Sequence, residues 1–249
     1  MDASARFHVP RSAGCEANRG ASTFYSRHGK RTFDFIASLV GLIMLAIPMA
    51  VSTILIWAFD GRPVFFRQKR VGRHGKLFTI YKFRTMKDGG ISGTTISAVS
   101  DSRVTPLGYW LRRFKLDELP QLWNVLRGDM SFVGPRPDVP GYLDRLSGEA
   151  KALWELRPGI TGPATLLFRR EEKILSYAKD YIRFNDEVIY PEKVRINLAY
   201  IHKRSFLLDL GYILATIAPS RGARADGWLG IDAGTFESRM RHAAQQYSL

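Results

Sequence analysis

The longest apolar run of the chain extends from Phe35 to Phe59, 25 positions without a charged residue. At about 1.5 Å of rise per residue, a helix of this length is long enough to cross a hydrocarbon core of ~30 Å. Pro48 lies near its middle, where it removes a backbone donor and clashes with the preceding turn, so we expect the helix to break there. A core helix of a soluble protein is the alternative interpretation of this run.

Basic residues flank the run on both sides, with Lys30 and Arg31 before it and Arg67 and Lys69 after it. The positive-inside rule places such residues in the cytoplasm, and both flanks satisfy it when the helix enters, bends and leaves on one face. The sequence therefore favours a re-entrant helix, while a kinked spanning helix remains open.

Alternating apolar and polar positions follow the membrane-like run. They predict strands at Val64–Gln68 and Leu77–Met86, and Gly72 and Gly75 between them indicate a β-hairpin. Four basic side chains lie on this hairpin: Arg67, Lys69, Lys82 and Arg84.

Two short helices are predicted after the hairpin. Thr105 and Pro106 are typical of a cap and a first helical position, which predicts a helix to about Phe114. A second helix is expected to begin at Asp117 and to end at Gly128. Further helices are expected at three places: Glu171–Phe184, Pro191–Lys203 and the apolar segment Ser205–Ala218.

These patterns divide the chain into four parts: a disordered tail at 1–28, a re-entrant membrane helix at 29–60, a cytoplasmic domain with amphipathic interfacial helices at 61–219 and a loose tail at 220–249. The fold class we expect is α/β and helix-rich, in a monotopic membrane protein whose compact domain contains a small β-hairpin.

Charge is concentrated in one quarter of the chain. The sequence holds 37 Lys and Arg against 23 Asp and Glu, a net charge of +14. Residues 62–115 alone hold thirteen basic and two acidic residues. This excess points to polyanions such as nucleic acid, anionic lipid or phosphorylated substrates, with a solvated basic face as the alternative. The single cysteine, Cys15, excludes a disulfide scaffold, and the five histidines lack metal-ligand spacing.

The pair Asp117–Glu118 is the best candidate for chemistry. It directly follows Arg112, Arg113 and Lys115. At a helix start, Asp117 would cap backbone N–H groups and remain ionised near the positive end of the dipole, as a carboxylate nucleophile requires. Carboxylates near phosphates also bind Mg²⁺, so Asp117 is a candidate metal ligand. The alternative is a helix cap without a catalytic role.

Arg136 stands between Pro135 and Pro137, which make the turn stiff. An arginine held in this way binds a phosphate through two parallel hydrogen bonds at little entropic cost. An ordinary surface turn is the alternative.

Three segments together resemble a known family. They are KRTFDF at 30–35, FRQKRVGRHGKLFTIYKFRTM at 66–86 and LDELPQLWNVLRGDMSFVGPRP at 116–137. They are similar to the bacterial sugar transferases, the monotopic phosphoglycosyl transferases that begin the synthesis of exopolysaccharides and other surface glycans. The resemblance covers about residues 29–219.

The resemblance implies a reaction and roles for individual residues. Such enzymes transfer a sugar-1-phosphate from a UDP-sugar to polyprenyl (undecaprenyl) phosphate and release UMP. Asp117 corresponds to the family's nucleophile, which attacks the β-phosphate with Mg²⁺ present, and Glu118 to the residue that orients it or assists proton transfer. Arg112 corresponds to a basic residue near the phosphates, and Arg136 to one that contacts the nucleotide sugar. The hairpin cations are expected at the same substrate.

The resemblance also implies a location and partners. It predicts an enzyme on the cytoplasmic face of the bacterial inner membrane, in contact with anionic lipids and not with nucleic acid. Two positions depart from the common pattern of the family. Ile47 precedes the helix-breaking proline, where serine is common, and Lys115 stands two residues before the Asp, where serine is again common. Two other classes remain as alternatives, a tethered nucleic-acid-binding protein with a helix-turn-helix at 106–126, in which Pro120 sits badly, and a non-catalytic membrane scaffold.

Overall fold

A computed structural model describes Tyr25 and residues 29–87, 103–218 and 233–247. Within these residues the fold is helix-rich and contains two small two-stranded sheets. Residues 1–24 and 26–28 of the predicted N-terminal tail and residues 220–232 of the predicted C-terminal tail lie outside the described residues.

A bent pair of helices occupies the apolar run. The pair consists of α1 (Lys30–Met44) and α2 (Ala46–Leu55), and α2 continues as a π-helical turn to Asp60. The helix axis bends by 57° between them. Across the described part of the chain, no single helix has the length and apolarity needed to cross a bilayer, whereas this pair has both when it is counted together.

The helix breaks at Leu45, not at Pro48 as the sequence predicts. Pro48 lies inside the first turn of α2 and is itself helical. A residue with an N–H at position 48 would bond to the carbonyl of Met44, and the proline ring crowds that same carbonyl. The proline therefore moves the bend to the turn that precedes it.

The burial pattern of this pair is inverted relative to a soluble helix. The residues that α1 and α2 bury are polar, namely Asp34, Ser38 and Ser52, whereas the π-helical turn buries the apolar Ile56. Asp34 Oδ1 accepts a hydrogen bond from the backbone N–H of Phe132 over 3.0 Å. The large exposed side chains of the pair are apolar and include Phe35, Ile36, Leu39, Val40, Ile43, Met44, Ile47, Val51, Ile54, Leu55, Trp57 and Phe59.

The start of α1 is held to the rest of the protein by its charged residues. The guanidinium of Arg31 donates to the carbonyls of Val125 over 2.6 Å and Leu126 over 2.7 Å. Lys30 forms an ion pair with the buried carboxylate of Asp209. These contacts fix the first turn of α1 on the folded domain.

The far end of the pair is held by the same domain. Asp60 Oδ2 accepts a hydrogen bond from Thr105 Oγ1 over 2.8 Å. The guanidinium of Arg84 donates to the carbonyls of Asp60, Gly61 and Arg62. Both ends of the apolar pair therefore lie against one body.

The predicted β-hairpin is confirmed. β1 (Phe65–Val71) pairs antiparallel with β2 (Leu77–Phe83), in a register that runs from Phe65 opposite Phe83 to Val71 opposite Leu77. On the outer edge of β2 the side chain of Asn124 bonds to the backbone of Tyr81 and Thr79, so it takes the place of a third strand there.

Thr105 caps α3 (Pro106–Arg113) as predicted, because its hydroxyl accepts from the N–H of Gly108 over 2.8 Å. The next helix differs from the prediction. A 3₁₀ turn covers Leu116–Glu118, and α4 covers Gln121–Arg127. Pro120 occupies the position before α4, where its missing donor leaves no intrahelical bond unmade.

The chain continues with a second, parallel pair of strands, β3 (Ser131–Val133) and β4 (Gly159–Thr161), and with further helices. They are α5 (Pro163–Leu167), α6 (Glu171–Leu175), α7 (Tyr181–Phe184), α8 (Tyr190–Lys203) and α9 (Phe206–Ile217). The single helix predicted at Glu171–Phe184 is thus two short helices.

The predicted loose tail is wrong for its second half. Ala233–Gln245 forms α10, a helix of 13 residues. Phe236, Met240 and Ala244 recur at a spacing of four residues and are buried against α5, α6 and α8. The segment forms a helix because this short apolar stripe packs against the apolar surface of the folded domain.

Candidate active site

Glu118 joins two cations from distant parts of the chain. Its Oε1 accepts hydrogen bonds from Lys82 Nζ over 2.8 Å and from Arg136 Nη2 over 2.9 Å. Lys82 lies on β2, Glu118 in the 3₁₀ turn before α4, and Arg136 in the turn after β3. Three residues singled out in the sequence are therefore brought together by three different elements.

Asp117 is buried beside this cluster, with 8% of its surface exposed. Its Oδ1 is buried without a hydrogen-bond partner. No side-chain cap is formed at the turn or at α4, so the predicted capping role is wrong. Burial and the adjacent Glu118 raise the pKa of Asp117, whereas Lys82, Lys115 and Arg112 oppose the rise. A carboxylate in these surroundings is both basic and surrounded by positive charge.

The pKa of Glu118 shifts in the opposite direction. Burial pushes its pKa upward, but Arg136 and Lys82 outweigh burial and hold the pKa of Glu118 well below its usual range. Burial lowers the pKa of Lys82, and Glu118 opposes that shift. A carboxylate with a depressed pKa is a poor proton acceptor near neutral pH, so this geometry supports positioning rather than proton transfer for Glu118.

Two further basic residues flank the pair. Arg112 Nε donates to Thr85 Oγ1 over 2.9 Å, which ties the last turn of α3 to the end of β2. Lys115 has φ 57° and ψ 20°, in the left-handed region that non-glycine residues rarely adopt. This conformation turns the chain sharply between α3 and Asp117, and strain of this kind is often found at functional sites.

The turn that carries Arg136 is held from both sides. The carbonyl of Pro135 accepts from the N–H of Gly159 over 2.7 Å. The carbonyl of Pro137 accepts from Arg70 Nη1 over 3.1 Å. A Cβ at Gly134 would lie 2.4 Å from the carbonyl oxygen of Arg157, so only glycine allows this approach. The exposed guanidinium of Arg136 thus rises from a fixed backbone.

Arg70 and Asp138 escaped the sequence analysis as site residues. Burial and the nearby Arg136 lower the pKa of Arg70. Asp138 Oδ2 accepts from the hydroxyl of Tyr190 over 3.2 Å, and burial raises the pKa of Asp138 to about 6 against the opposing effect of Lys193. The sequence signal that could have identified Asp138 is its position directly after Pro137. For Arg70 the signal is the alternation along β1, which predicts which side chains share a face.

Three predicted site residues lie elsewhere. Arg67 faces Tyr81 across the hairpin and Lys69 faces Thr79, so both project from the face opposite to that of Lys82. Arg84 is buried, and its guanidinium binds the carbonyls at the end of the bent helix pair. Its role in this structure is to hold the chain, and a substrate contact of Arg84 stays a prediction.

The residues present fit a magnesium ion only together with an anionic substrate. Among the described residues, no three His, Cys, Asp or Glu side chains converge as a metal cluster. The unpartnered Oδ1 of Asp117 is a hard oxygen donor of the kind that Mg²⁺ takes. Mg²⁺ usually combines one or two carboxylates with substrate phosphates and waters, and Asp117 suits that type of site.

Comparison with known proteins adds a family to this geometry. A family model described as bacterial sugar transferase matches residues 25–220. The chain is 35% identical over 188 residues to the uncharacterized sugar transferase EpsL of Bacillus subtilis, covering 76% of this chain and 85% of that protein. It is 31% identical over 231 residues to the exopolysaccharide production protein ExoY of Sinorhizobium fredii, covering 86% of this chain and 92% of that protein.

A third similar protein is longer. The chain is 37% identical over 197 residues to an undecaprenyl-phosphate glucose phosphotransferase of Komagataeibacter xylinus. The match covers 76% of this chain and 35% of that protein.

Proposed function

The chain belongs to the bacterial sugar transferase family, and on this basis we propose that it transfers a sugar-1-phosphate from a UDP-sugar to undecaprenyl phosphate. The products are undecaprenyl diphosphosugar and UMP, and the reaction is the first membrane step of exopolysaccharide synthesis. The names of similar proteins support the acceptor and the pathway. The observation that carries the proposal is the buried, unpartnered oxygen of Asp117 beside Glu118, Lys82 and Arg136.

The reaction has two displacements at one phosphorus atom. In the first, Asp117 attacks the β-phosphorus of the donor, a new aspartyl P–O bond forms, and the bond to the bridging oxygen breaks and releases UMP. In the second, a phosphate oxygen of the lipid attacks the same phosphorus and Asp117 leaves with its electron pair. The bond between sugar and phosphate stays intact throughout. Two bulky substrates then use one small site in turn, with ping-pong kinetics as the signature.

The surroundings of Asp117 suit a nucleophile. Burial removes the water that would weaken its attack, and its raised pKa gives it greater basicity than an ordinary carboxylate. Lys82, Lys115 and Arg112 favour its ionised form. Since both nucleophiles, the carboxylate of Asp117 and the phosphate of the lipid, are already anionic, the steps need no strong general base. Glu118 is then free to position Lys82 and Arg136.

Positive charge around the pair offsets the charge of the phosphates. Arg136 is the exposed member of the cluster and binds the donor phosphates. Arg112 and Lys115 raise the positive potential from the other side. Mg²⁺, held by Asp117 together with the substrate, would supply further neutralisation of the diphosphate when bound.

The bent pair α1–α2 is proposed to lie in the cytoplasmic membrane as a re-entrant hairpin. Its exposed apolar surface and buried polar residues suit a lipid environment. Its first turn and its last residues contact the same domain through Arg31 and Asp60, which supports entry and exit on one face. The basic segment 62–115 then meets anionic head groups and phosphate substrates at the cytoplasmic surface.

The nucleic-acid alternative has little support in this geometry. In the predicted helix-turn-helix, α4 would be the recognition helix, yet it buries Gln121, Leu122, Asn124 and Val125. A recognition helix must offer an exposed face to the groove.

A direct assay tests the function. Full-length protein in detergent micelles is incubated with a panel of UDP-sugars, polyprenyl phosphate and Mg²⁺, and UMP release is measured. Mass spectrometry of the intact protein with donor alone should show an added sugar phosphate. Release of UDP instead of UMP, or no nucleotide release with any donor, would contradict the proposal.

A further inference from the structure

The C-terminal helix α10 lies beyond the family match, which ends at residue 220. Its residue Phe236 is buried and packs edge-on against Phe168, with ring centroids 5.0 Å apart and an angle of 88°. Phe168 lies just before α6. Through this aromatic pair, α10 packs against the segment between α5 and α6. The residues matched by the family model do not supply this contact by themselves.

Phe168 in turn contacts an ion pair. The ammonium of Lys193 lies 5.4 Å from the centre of the Phe168 ring and donates to Glu171 Oε1 over 2.6 Å. The side chains of Lys193 and Glu171 are only 24% and 28% exposed. The face of an aromatic ring attracts a cation, so Phe168 holds Lys193 on the side where Glu171 lies.

This ion pair is linked to the turn that carries Arg136 through α8. Tyr190 and Lys193 are three residues apart on α8 and share a face. The hydroxyl of Tyr190 donates over 3.2 Å to Asp138, two residues after Arg136. The electrostatics agree with this placement: Glu118 contributes most to the raised pKa of Arg136, and Glu171 adds to it.

We propose that α10, through Phe236 and Phe168, holds Lys193 on Glu171, and that this pairing keeps Arg136 available for the diphosphate of the donor. Left without Lys193, Glu171 competes with the donor phosphates for the same guanidinium and repels them. Phe236 and Lys193 are thus positioning residues that set donor affinity. The inference rests on the proposed function, because it names a donor with a diphosphate.

The central test is a charge suppression. In full-length protein, Lys193→Met should raise the KM for the UDP-sugar by about fivefold, the size of a partly screened charge interaction, with a smaller change in kcat. Adding Glu171→Gln should return the donor KM to near its value in the unsubstituted protein, because the uncompensated charge is gone. Lys193→Arg keeps the positive charge, so its donor KM should stay near the value of the unsubstituted protein.

Phe236→Ala should also raise the donor KM, as Lys193→Met does. Adding Glu171→Gln should suppress that rise as well. Met240→Ala is the matched control, since it removes buried volume one turn further along α10. It should lower the melting temperature and leave the donor KM unchanged.

The outcomes separate the two proposals. UMP release by the unsubstituted protein tests the function by itself, and its absence with every UDP-sugar would reject that function and this inference with it. If the protein is active but Lys193→Met leaves the donor KM unchanged, the inference is wrong and the function stands. A rise in KM that Glu171→Gln does not suppress shows a packing role for Lys193 and also overturns the inference.

Discussion

Arg136 and Glu118 are 18 positions apart in the sequence, and Nη2 of Arg136 donates to Oε1 of Glu118 over 2.9 Å. The same oxygen accepts from Lys82 over 2.8 Å. One carboxylate oxygen therefore sets the spacing of two cations that come from different elements. A phosphate that enters this site meets cations that are already in place, which is the arrangement that electrostatic catalysis requires.

This relationship predicts how stability depends on pH. The pKa of Glu118 is lower in the folded protein than in the unfolded chain, so its stabilising contribution is present above the unfolded pKa, near 4. It is lost as the pH falls below that value. We expect the free energy of unfolding in detergent to fall less steeply between pH 5 and 3 for Glu118→Gln than for the unsubstituted protein, as measured by chemical denaturation. Equal slopes would contradict the ion-pair geometry.

Substitution of Asp117, the proposed nucleophile, should separate catalysis from folding. Asp117→Asn is expected to lower UMP release by about 10³-fold or more, since an amide cannot form the acyl phosphate. Its melting temperature should stay the same or rise, because the substitution removes a buried carboxylate whose pKa is raised. Intact-protein mass spectrometry should show no sugar-phosphate adduct. Full activity in this variant would refute the covalent mechanism.

The two faces of the hairpin should differ in their importance for turnover. Lys82→Met is expected to lower kcat/KM by about 10²-fold, because Glu118 loses a cation and the phosphates lose a favourable charge. The matched variants Arg67→Met and Lys69→Met lie on the opposite face, and in detergent we expect turnover within about twofold of the unsubstituted protein. A loss in Arg67→Met as large as that in Lys82→Met would favour the original sequence interpretation.

Arg84 should matter for stability. Its guanidinium satisfies three backbone carbonyls, those of Asp60, Gly61 and Arg62, in a buried position. Arg84→Met leaves these acceptors without a partner and should lower the free energy of unfolding by about 2–3 kcal/mol in chemical denaturation. Arg127→Met, at an exposed arginine, is the control and should change it little.

The topology of the bent pair can be tested with the single native cysteine. Cys15 precedes α1, and a re-entrant pair keeps it in the cytoplasm. A membrane-impermeant maleimide should therefore label it in inside-out vesicles and not in intact spheroplasts. Pro48→Ala restores a donor for the carbonyl of Met44 and should straighten the pair, which favours a spanning form. Labelling of Cys15 from the periplasm in the unsubstituted protein would reject the hairpin.

The sequence was a good guide where the signal was local. The hairpin, the Thr105 cap and the helices α3, α8 and α9 depend on alternation, capping and apolar spacing over a few residues. It was less reliable where one residue acts at a distance along the backbone. Pro48 places the bend at Leu45, and Pro120 delays α4 to Gln121, because a proline affects the carbonyl of the preceding turn as well as its own position.

The helix α10 shows a second limit. Its stripe of Phe236, Met240 and Ala244 is too short to predict a stable helix in isolation. The helix forms where α5, α6 and α8 offer an apolar surface. Such a surface is assembled from segments 40 to 80 residues away and is not visible in any local window.

By itself the sequence determined the membrane-like run and the basic segment, and it singled out Asp117, Glu118 and Arg136 as candidates. These features depend on composition and on motifs of neighbouring residues. Only the tertiary structure decided which basic residues face the acidic pair. Lys82 does and Arg67 does not, since adjacent side chains of a strand project to opposite faces and the register fixes which one is turned inward. The folded structure also raises the pKa of Asp117, which the motif did not indicate, because burial is a property of the folded chain.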